Sequence, residues 1–222
     1  MFASLNKIVE IRELVVKLGE NPSRWIYAIV LSVSFVYLAS ILAAPLLAMQ
    51  GEETVSGAVY SFHTQMCHQI TARSLCFFEE SGSLWVGDCV PQGSNWLEFD
   101  RAAAKGLAIT GRYEVVLNGV HGFQIANCTR DLGIFAAFFV ATLVFPFLKK
   151  LDDENIPPKW ILFAALVPVG LDGLTQLVGL RQSTNTLRML TGAIAGIVLP
   201  FYIIPMLNAV AKNVFEKLKP SR

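Results

Sequence analysis

The chain has 222 residues, of which 54% are hydrophobic and only 16% are charged, and its formal net charge is +1. Soluble domains carry about 25% charged residues, so the composition argues against a soluble globular protein. The near-neutral net charge gives no indication of a nucleic-acid partner. The apolar residues instead form long runs, and a run of about 20 is enough to cross a membrane.

The N-terminal segment 1–24 is predicted to be a cytoplasmic amphipathic helix. Between Leu5 and Val16, apolar residues recur among charges at the spacing of one helix face, which suits a helix lying on the membrane surface. The Asn21-Pro22 pair would end this helix. A plain solvated helix is the alternative interpretation.

Four apolar windows follow, and each is predicted to be a transmembrane helix. Transmembrane helix 1 covers residues 25–49, and helices 2–4 lie within 131–210, at about 132–148, 160–180 and 189–207. Gly192 and Gly196 in the last window have the spacing that permits close helix packing. The expected fold class is therefore an all-α membrane protein built as a bundle of four transmembrane helices.

The distribution of Lys and Arg predicts the orientation of these helices. Basic residues are concentrated in 1–24, between the second and third windows, and in the tail 211–222. Four spans place these three regions on one side, which the positive-inside rule makes cytoplasmic. We expect a multi-pass protein of the cell membrane with both termini in the cytoplasm. Membrane lipid is then an expected partner.

The extracytoplasmic loop at 50–130 is predicted to hold a short helix and a β-hairpin. Its first part, "GAVYSFHTQMCHQI", is apolar enough to pack on the bundle as a helix, whereas 76–100 is rich in Gly, Ser and Pro and is expected to be irregular. The sequence "RYEVVL", then Asn118-Gly119, then "VHGFQIANC" predicts two strands joined by a type I′ turn. That hairpin would place Cys128 at the start of the second transmembrane helix.

All four cysteines fall in this loop. Four cysteines outside the cell allow three disulfide connectivities, and Cys76–Cys89 is favoured because it would close the irregular stretch. The other two lie beside further donor groups, in the set Cys67, His68, Cys128 and Asp131. Two thiolates, an imidazole and a carboxylate would complete a four-coordinate zinc site. A second disulfide, Cys67–Cys128, is the alternative, and His63 and His121 are reserve ligands.

Polar residues in the last two helices form a second candidate site. A carboxylate inside a membrane helix is costly and usually functional. Asp172 and Gln176 share one helix face, and Arg188 can reach Asp172 from the next helix, so these three are the candidate catalytic residues. Asp172 would serve as a general base, or pair with Arg188 structurally. Arginine forks suit phosphate and carboxylate groups. Candidate residues for an anionic headgroup or a small anionic substrate are Arg73, Ser74, Arg130, Arg181, Ser183 and Asn185.

Four motifs, "CHQITARS", "CTRDLG", "DGLTQ" and "STNTLR", resemble those of the small membrane proteins grouped as domain of unknown function 2085. The resemblance covers roughly residues 60–200. Many members of that family carry a cysteine where this chain has Asp131, so a C-x-x-C redox pair is absent here. The segment 77–112 resembles an insertion, which fits a disulfide of its own. The family name implies no activity.

Four functions therefore remain open. The preferred hypothesis is a zinc-dependent membrane enzyme with an outward-facing site that acts on a lipid-like or small anionic substrate. A transporter or channel using Asp172 and Gln176 is the second, although the other spans lack charge and a conduit would need an oligomer. The third is a thiol-redox protein using Cys67 and Cys128. The fourth is a non-catalytic structural membrane protein.

Overall fold

A computed structural model describes residues 21–90, 107–109 and 113–218. The predicted amphipathic helix therefore lies almost entirely outside the described residues and stays a prediction. Within the described part, the chain folds into six α-helices and a small antiparallel sheet. The helices are α1 (Pro22–Met49), α2 (Glu53–His63), α3 (Thr129–Leu148), α4 (Lys159–Leu177), α5 (Asn185–Val198) and α6 (Pro200–Leu218).

Four helical stretches of the described residues are long and apolar enough to cross a membrane, as predicted. They are α1, α3, α4, and α5 together with α6, and their mean hydropathies are 2.3, 2.1, 1.5 and 2.0. Each extends beyond its predicted window at one end or both. Their exposed surface is largely apolar, which is expected of helices that face lipid.

The loop between α1 and α3 contains more regular structure than a hairpin. Its five strands are β1 (Leu75–Glu80), β2 (Ser83–Asp88), β3 (Leu107–Ile109), β4 (Glu114–Leu117) and β5 (Val120–Gln124). They pair in the antiparallel order β2-β1-β5-β4-β3. The predicted hairpin is confirmed as β4 and β5, joined by Asn118 (φ 52°) and Gly119 (φ 86°). Both turn residues have the positive φ that a type I′ turn requires.

The prediction of an irregular segment at 76–100 is wrong for its first part. Strands β1 and β2 form a second hairpin around Ser81 (φ 52°) and Gly82 (φ 77°). On this hairpin the ring of Phe78 is buried and stacks on Trp85 with centroids 4.2 Å apart. The Gly and Ser residues that suggested a loop therefore make a tight turn between two strands.

Cys76 and Cys89 form a disulfide, as predicted, whereas Cys67 and Cys128 are free thiols. The disulfide closes the β1–β2 hairpin across 13 positions of the chain. Replacing both cysteines by serine should destabilise the sheet by about 2–3 kcal/mol, because the unfolded hairpin regains conformational freedom. Limited proteolysis should then cut within 75–90, while the transmembrane fragments stay protected. Equal protease resistance in the variant and the unaltered protein would contradict this expectation.

The sheet is fixed to the bundle through α1 and α2. The Tyr60 ring stacks on Tyr113 with centroids 3.8 Å apart, and the Tyr60 hydroxyl donates to the carbonyl oxygen of Gln124. The backbone N–H of Ala126 donates to the Ile41 carbonyl at 3.2 Å. These contacts hold the end of β5 against the membrane helices, and the chain then enters α3.

Helices α3 and α5 are in backbone contact, and glycines make that contact possible. A Cβ atom added at Gly133 would lie 2.2 Å from the Met189 carbonyl oxygen, and one at Gly196 would lie 2.2 Å from that of Ile134. A Cβ added at Gly192 would likewise lie 2.4 Å from the Arg130 carbonyl oxygen of α3. The close packing predicted from Gly192 and Gly196 is therefore confirmed. It brings the first turns of α3 and α5 together.

Candidate functional site

The polar motifs lie together at one end of the bundle, where α3 begins at Thr129, α4 ends at Leu177 and α5 begins at Asn185. We call this the motif end. The segment at 67–74 and the end of β5 cover it. Backbone and side-chain hydrogen bonds join these parts directly, so residues that are more than 100 positions apart in the chain are neighbours here.

Asn185 connects the sheet to helices α3 and α5. Its Nδ2 donates to the Ser74 carbonyl at 3.2 Å and to Asp88 Oδ1 at 2.7 Å. Its Oδ1 accepts from Thr129 Oγ1 at 3.1 Å and from Arg188 Nη1 at 3.2 Å. The side chain is buried, so these bonds satisfy an amide that would be costly to bury alone. Asn185 therefore positions Arg188.

Ser74 and Gln69 are also engaged within the protein. The buried Ser74 hydroxyl lies 3.3 Å from the carbonyls of Ile70 and Asn127 and accepts from Gln124 Nε2 at 3.1 Å. The Gln69 side chain donates to two backbone carbonyls, at 2.9 and 2.7 Å. These bonds fix the path of the chain from α2 into the sheet. Ser74 stays a predicted binding residue, but its hydroxyl has protein partners.

Cys67, Cys128 and Asp131 form a compact group of donor atoms. Their two Sγ atoms and one carboxylate oxygen all lie within 4.8 Å of one another. Cys128 immediately precedes α3 and Asp131 lies in its first turn, so both face the same side of the helix. The backbone N–H of Cys128 donates to Cys67 Sγ at 3.2 Å. Cys67 is buried, while Cys128 and Asp131 are partly exposed.

The two thiols differ in acidity. A hydrogen bond from the Cys128 thiol lowers the pKa of Cys67, and backbone N–H groups act in the same direction. The same hydrogen bond, together with burial, raises the pKa of Cys128. Cys67 is therefore the more acidic thiol of the pair and Cys128 the less acidic one. A thiolate is the form that binds a metal or attacks an electrophile.

His68, the imidazole predicted for this site, is exposed and does not belong to the group. Successive side chains point in different directions, and the chain turns sharply after His68, where Gln69 has φ 50°. The reserve residue His63 is buried instead, and its Nε2 lies 2.9 Å from Ser40 Oγ. Burial lowers the pKa of His63, so its ring is neutral near pH 7.

Sequence analysis missed Tyr37, which lies in the middle of the first apolar window. Its hydroxyl accepts from Asn127 Nδ2 at 3.1 Å, and the same amide reaches Asp131 Oδ2 at 3.5 Å. Tyr37 also packs edge-on against His63, with ring centroids 4.8 Å apart. No local signal in the sequence distinguishes Tyr37 from the lipid-facing residues around it.

Asp172 binds two arginines on the other side of α3. Its Oδ1 accepts from Arg181 Nη2 at 2.8 Å, and its Oδ2 accepts from Arg130 Nη2. The carboxylate is only 1% exposed. Arg130 lies beside Gly173, where an added Cβ would be in ordinary van der Waals contact with its Nη1, at 3.6 Å. Because both oxygens hold guanidinium donors, this arrangement does not favour a general-base role for Asp172.

Arg188 was expected to reach Asp172, but it forms no ion pair with any described residue. It lies in the first turn of α5, one turn after Asn185, and bonds to that amide instead. Arg188 is only 4% exposed. Arg73 and Arg130 lie within electrostatic range of its guanidinium group, as does Asp172.

Gln176 and Ser183 are the remaining predicted residues. Gln176 is partly exposed and forms no side-chain hydrogen bond to another described residue. The Ser183 hydroxyl is buried, lies 3.4 Å from the Thr184 carbonyl and hydrogen-bonds the Asp172 carboxylate. Thr184 itself caps α5 by accepting from the Leu187 N–H at 3.2 Å. The structure thus brings two groups together at the start of α3: thiols with Asp131 on one side, and arginines with Asp172 on the other.

Comparison with known proteins identifies the family. A family model described as "Predicted membrane protein (DUF2085)" matches residues 119–202. An uncharacterized protein of Methanocaldococcus jannaschii is 34% identical over 185 residues, which make up 81% of this chain and 91% of that protein. An uncharacterized protein of Methanothermobacter thermautotrophicus is 41% identical over 82 residues, 34% of this chain and 67% of its own length. No solved structure gives a significant match. The chain therefore belongs to the DUF2085 family of predicted membrane proteins.

Proposed function

We propose that this membrane protein is a metal-dependent enzyme that acts on a lipid-like or small anionic substrate at its motif end. The observation that carries the proposal is the group of three donor atoms, from Cys67, Cys128 and Asp131, all within 4.8 Å of one another. The group lies at the start of an apolar helix, and Cys128 lies within electrostatic range of Arg188.

The donor set fits zinc. Thiolate sulfur and carboxylate oxygen are both common zinc ligands, and three protein ligands with one open position are typical of catalytic sites. The exposed His68 would not complete the coordination shell of the metal. The fourth coordination position would therefore be open to water or substrate. Partial exposure of Cys128 and Asp131 gives that position access to solvent. Zinc would activate a water molecule or polarise an oxygen atom of the substrate.

The chain's own residues would hold the substrate and the ligands. Arg188 and its neighbours would bind the anion, while Asn185 fixes the direction of Arg188. Asn127 would orient the Asp131 carboxylate, since its amide reaches Oδ2 at 3.5 Å. Asp172 would act as a positioning residue, because its two oxygens hold Arg130 and Arg181 in place.

A thiol-redox protein is the second candidate. It is favoured by the direct contact of Cys67 with Cys128 and by their opposite pKa shifts, which resemble a nucleophilic thiolate beside its resolving thiol. In that case the two thiols would convert to a disulfide, and an external acceptor would take two electrons and two protons. The same protein sample distinguishes the two candidates.

The first test is elemental analysis of the detergent-purified protein, with a count of free thiols in the same sample. We expect near-stoichiometric zinc, with Cys67 and Cys128 modifiable only after chelation. Asp131→Asn should lose most of the metal, because a neutral amide is a poor zinc ligand. His68→Ala is the matched control and should keep it, since His68 lies outside the donor group.

Two results would contradict the enzyme proposal. Protein without metal whose Cys67 and Cys128 interconvert with a disulfide under mild reductants would support the redox candidate instead. Metal that persists in Cys67→Ser and Cys128→Ser together would place the binding site elsewhere. If zinc is present, hydrolysis of anionic lipids in detergent should be lost on chelation and restored by zinc.

A further inference from the structure

Arg188 is buried, and one of its N–H donors has no acceptor among the described residues. A guanidinium group carries five N–H donors. Among the described residues, Nη1 donates to the Asn185 amide at 3.2 Å, while Nε is buried and has no acceptor. With 4% of the residue exposed, water cannot reach it freely. A buried charge in this state is costly unless another group completes its bonds.

Two neighbouring arginines, Arg130 and Arg181, also have buried N–H groups without a described acceptor. Arg130 Nε and Arg181 Nη1 are also buried without a hydrogen-bond acceptor in the described part of the chain. Asp172 accepts from other nitrogens of the same two side chains, so these atoms are left without a described acceptor. Arg130 and Arg181 thus pair with one carboxylate and Arg188 pairs with none among the described residues, so these three arginines and Asp172 carry an excess of two positive charges.

The backbone holds these groups together. Thr129 Oγ1 lies 3.2 Å from the Arg73 carbonyl and 3.1 Å from Asn185 Oδ1, so Arg73 is placed beside the start of α3 and α5. Arg130 follows Thr129 directly, and its carbonyl lies against Gly192 of α5. Arg130 and Arg188 therefore lie on helix ends in backbone contact, while Arg181, in the segment between α4 and α5, is held by Asp172 and Thr175.

We propose that Arg130, Arg181 and Arg188, with Arg73 at the rim, bind the phosphate group of a phosphomonoester. This inference rests on the proposed function, because it names the substrate class of the same site. A phosphomonoester carries up to two negative charges and three acceptor oxygens, which match the charge excess and the orphaned N–H groups. A carboxylate would offer one charge and two oxygens.

Two sources could supply this chemistry, a phosphomonoester lipid headgroup and free phosphate. The test uses the detergent-purified full chain and its apparent melting temperature. Three probes are added separately: inorganic phosphate, dioctanoyl phosphatidic acid, and dioctanoyl phosphatidylcholine as the control without a monoester. A ligand that binds only the folded protein raises the melting temperature with its concentration.

Phosphatidic acid is expected to stabilise the protein and phosphatidylcholine is not. Stabilisation by inorganic phosphate at similar concentration would assign the site to free phosphate, and a lipid-only effect would assign it to the headgroup. In Arg188→Lys, which keeps the charge but loses the planar fork, the affinity should fall about tenfold or more. Arg73→Gln is the second variant, should Arg188→Lys fail to fold. Lys212→Gln, at the opposite end of the bundle, should bind normally.

The inference is overturned if neither phosphate probe stabilises the protein, or if Arg188→Lys and Arg73→Gln bind as tightly as Lys212→Gln. Metal content separates this failure from failure of the proposed function. Arg188→Lys should keep its zinc, since Arg188 is not in the donor group. If the protein contains zinc but does not bind phosphate, the proposed metal site is retained and only the phosphate inference is rejected.

Discussion

Gly196→Leu is expected to disrupt the packing of α3 against α5 and to leave little folded protein. A Cβ at this position would lie 2.2 Å from the Ile134 carbonyl oxygen and 3.0 Å from Ala137 Cβ. The first of these neighbours is backbone, which cannot rotate away, so the helices must separate. Overpacking a core costs about 1–3 kcal/mol, and we expect about 3 kcal/mol or more for a whole leucine side chain here.

Gly170→Leu is the matched control. Gly170 also lies within a transmembrane helix, α4, but nothing lies within 4 Å of a Cβ placed there. Both variants gain helix propensity equally, so the difference between them isolates the contact. The fraction of monodisperse protein after heating in detergent measures the effect. If Gly196→Leu survived heating as well as Gly170→Leu does, α3 and α5 would not be in backbone contact.

The membrane helices could be predicted because the signal is long and local. A run of about 20 apolar residues is rare outside membrane spans, and four such runs all became helices. The Asn118-Gly119 turn was predictable for a related reason, since few dipeptides accept positive φ at both positions. The hairpin at Ser81-Gly82 was missed because its turn contains a serine, and serine also occurs in ordinary loops.

The site was only partly predictable, because its members meet through the packing of helices. Spacing placed Cys128 and Asp131 on one helix face, since residues three apart are neighbours there. His68 was expected at the same site because it adjoins Cys67, but sequence adjacency does not fix the direction of a side chain. Tyr37 could not be found, since only the approach of α1 to the loop makes it a neighbour of Asn127.

The partners of Asp172 could not be chosen from sequence either. Four arginines were available near the motif end, and Arg188 was preferred because it lies on the next helix. The contact of α3 with α5 places Arg130 nearer, and Arg181 reaches Asp172 from the segment before α5. Arg188 is then left with the Asn185 amide. This arrangement creates the excess of positive charge on which the phosphate inference depends.

Asp172→Asn is expected to destabilise the protein by about 3 kcal/mol, because it leaves the charges of Arg130 and Arg181 without a counter-ion. Loss of one partner of a fully buried pair costs about 3–5 kcal/mol. The lower end of this energy range applies here, since the side chains of Arg130 and Arg181 are 24% and 25% exposed. Asparagine has almost the same shape, so packing is unchanged. Thermal unfolding in detergent, in a phosphate-free buffer, is the measurement.

Glu154→Gln is the control for removing a carboxylate. Its ion pair with Lys212 at 2.9 Å lies at the opposite end of the bundle, and the two side chains are 40% and 57% exposed. Exposed pairs contribute less than about 1 kcal/mol, so the melting temperature should hardly change. Equal effects of Glu154→Gln and Asp172→Asn would mean that Asp172 is not the counter-ion of a buried cluster.

Phosphate should restore part of the stability that Asp172→Asn loses. In the unaltered protein an anion must share Arg130 and Arg181 with Asp172, whereas in the variant the same guanidinium groups have no other acceptor. Added phosphate should therefore raise the melting temperature of Asp172→Asn more than that of the unaltered protein. An equal rise in both would show that phosphate binds elsewhere. A larger rise in the variant would tie the buried carboxylate and the proposed anion to one set of arginines.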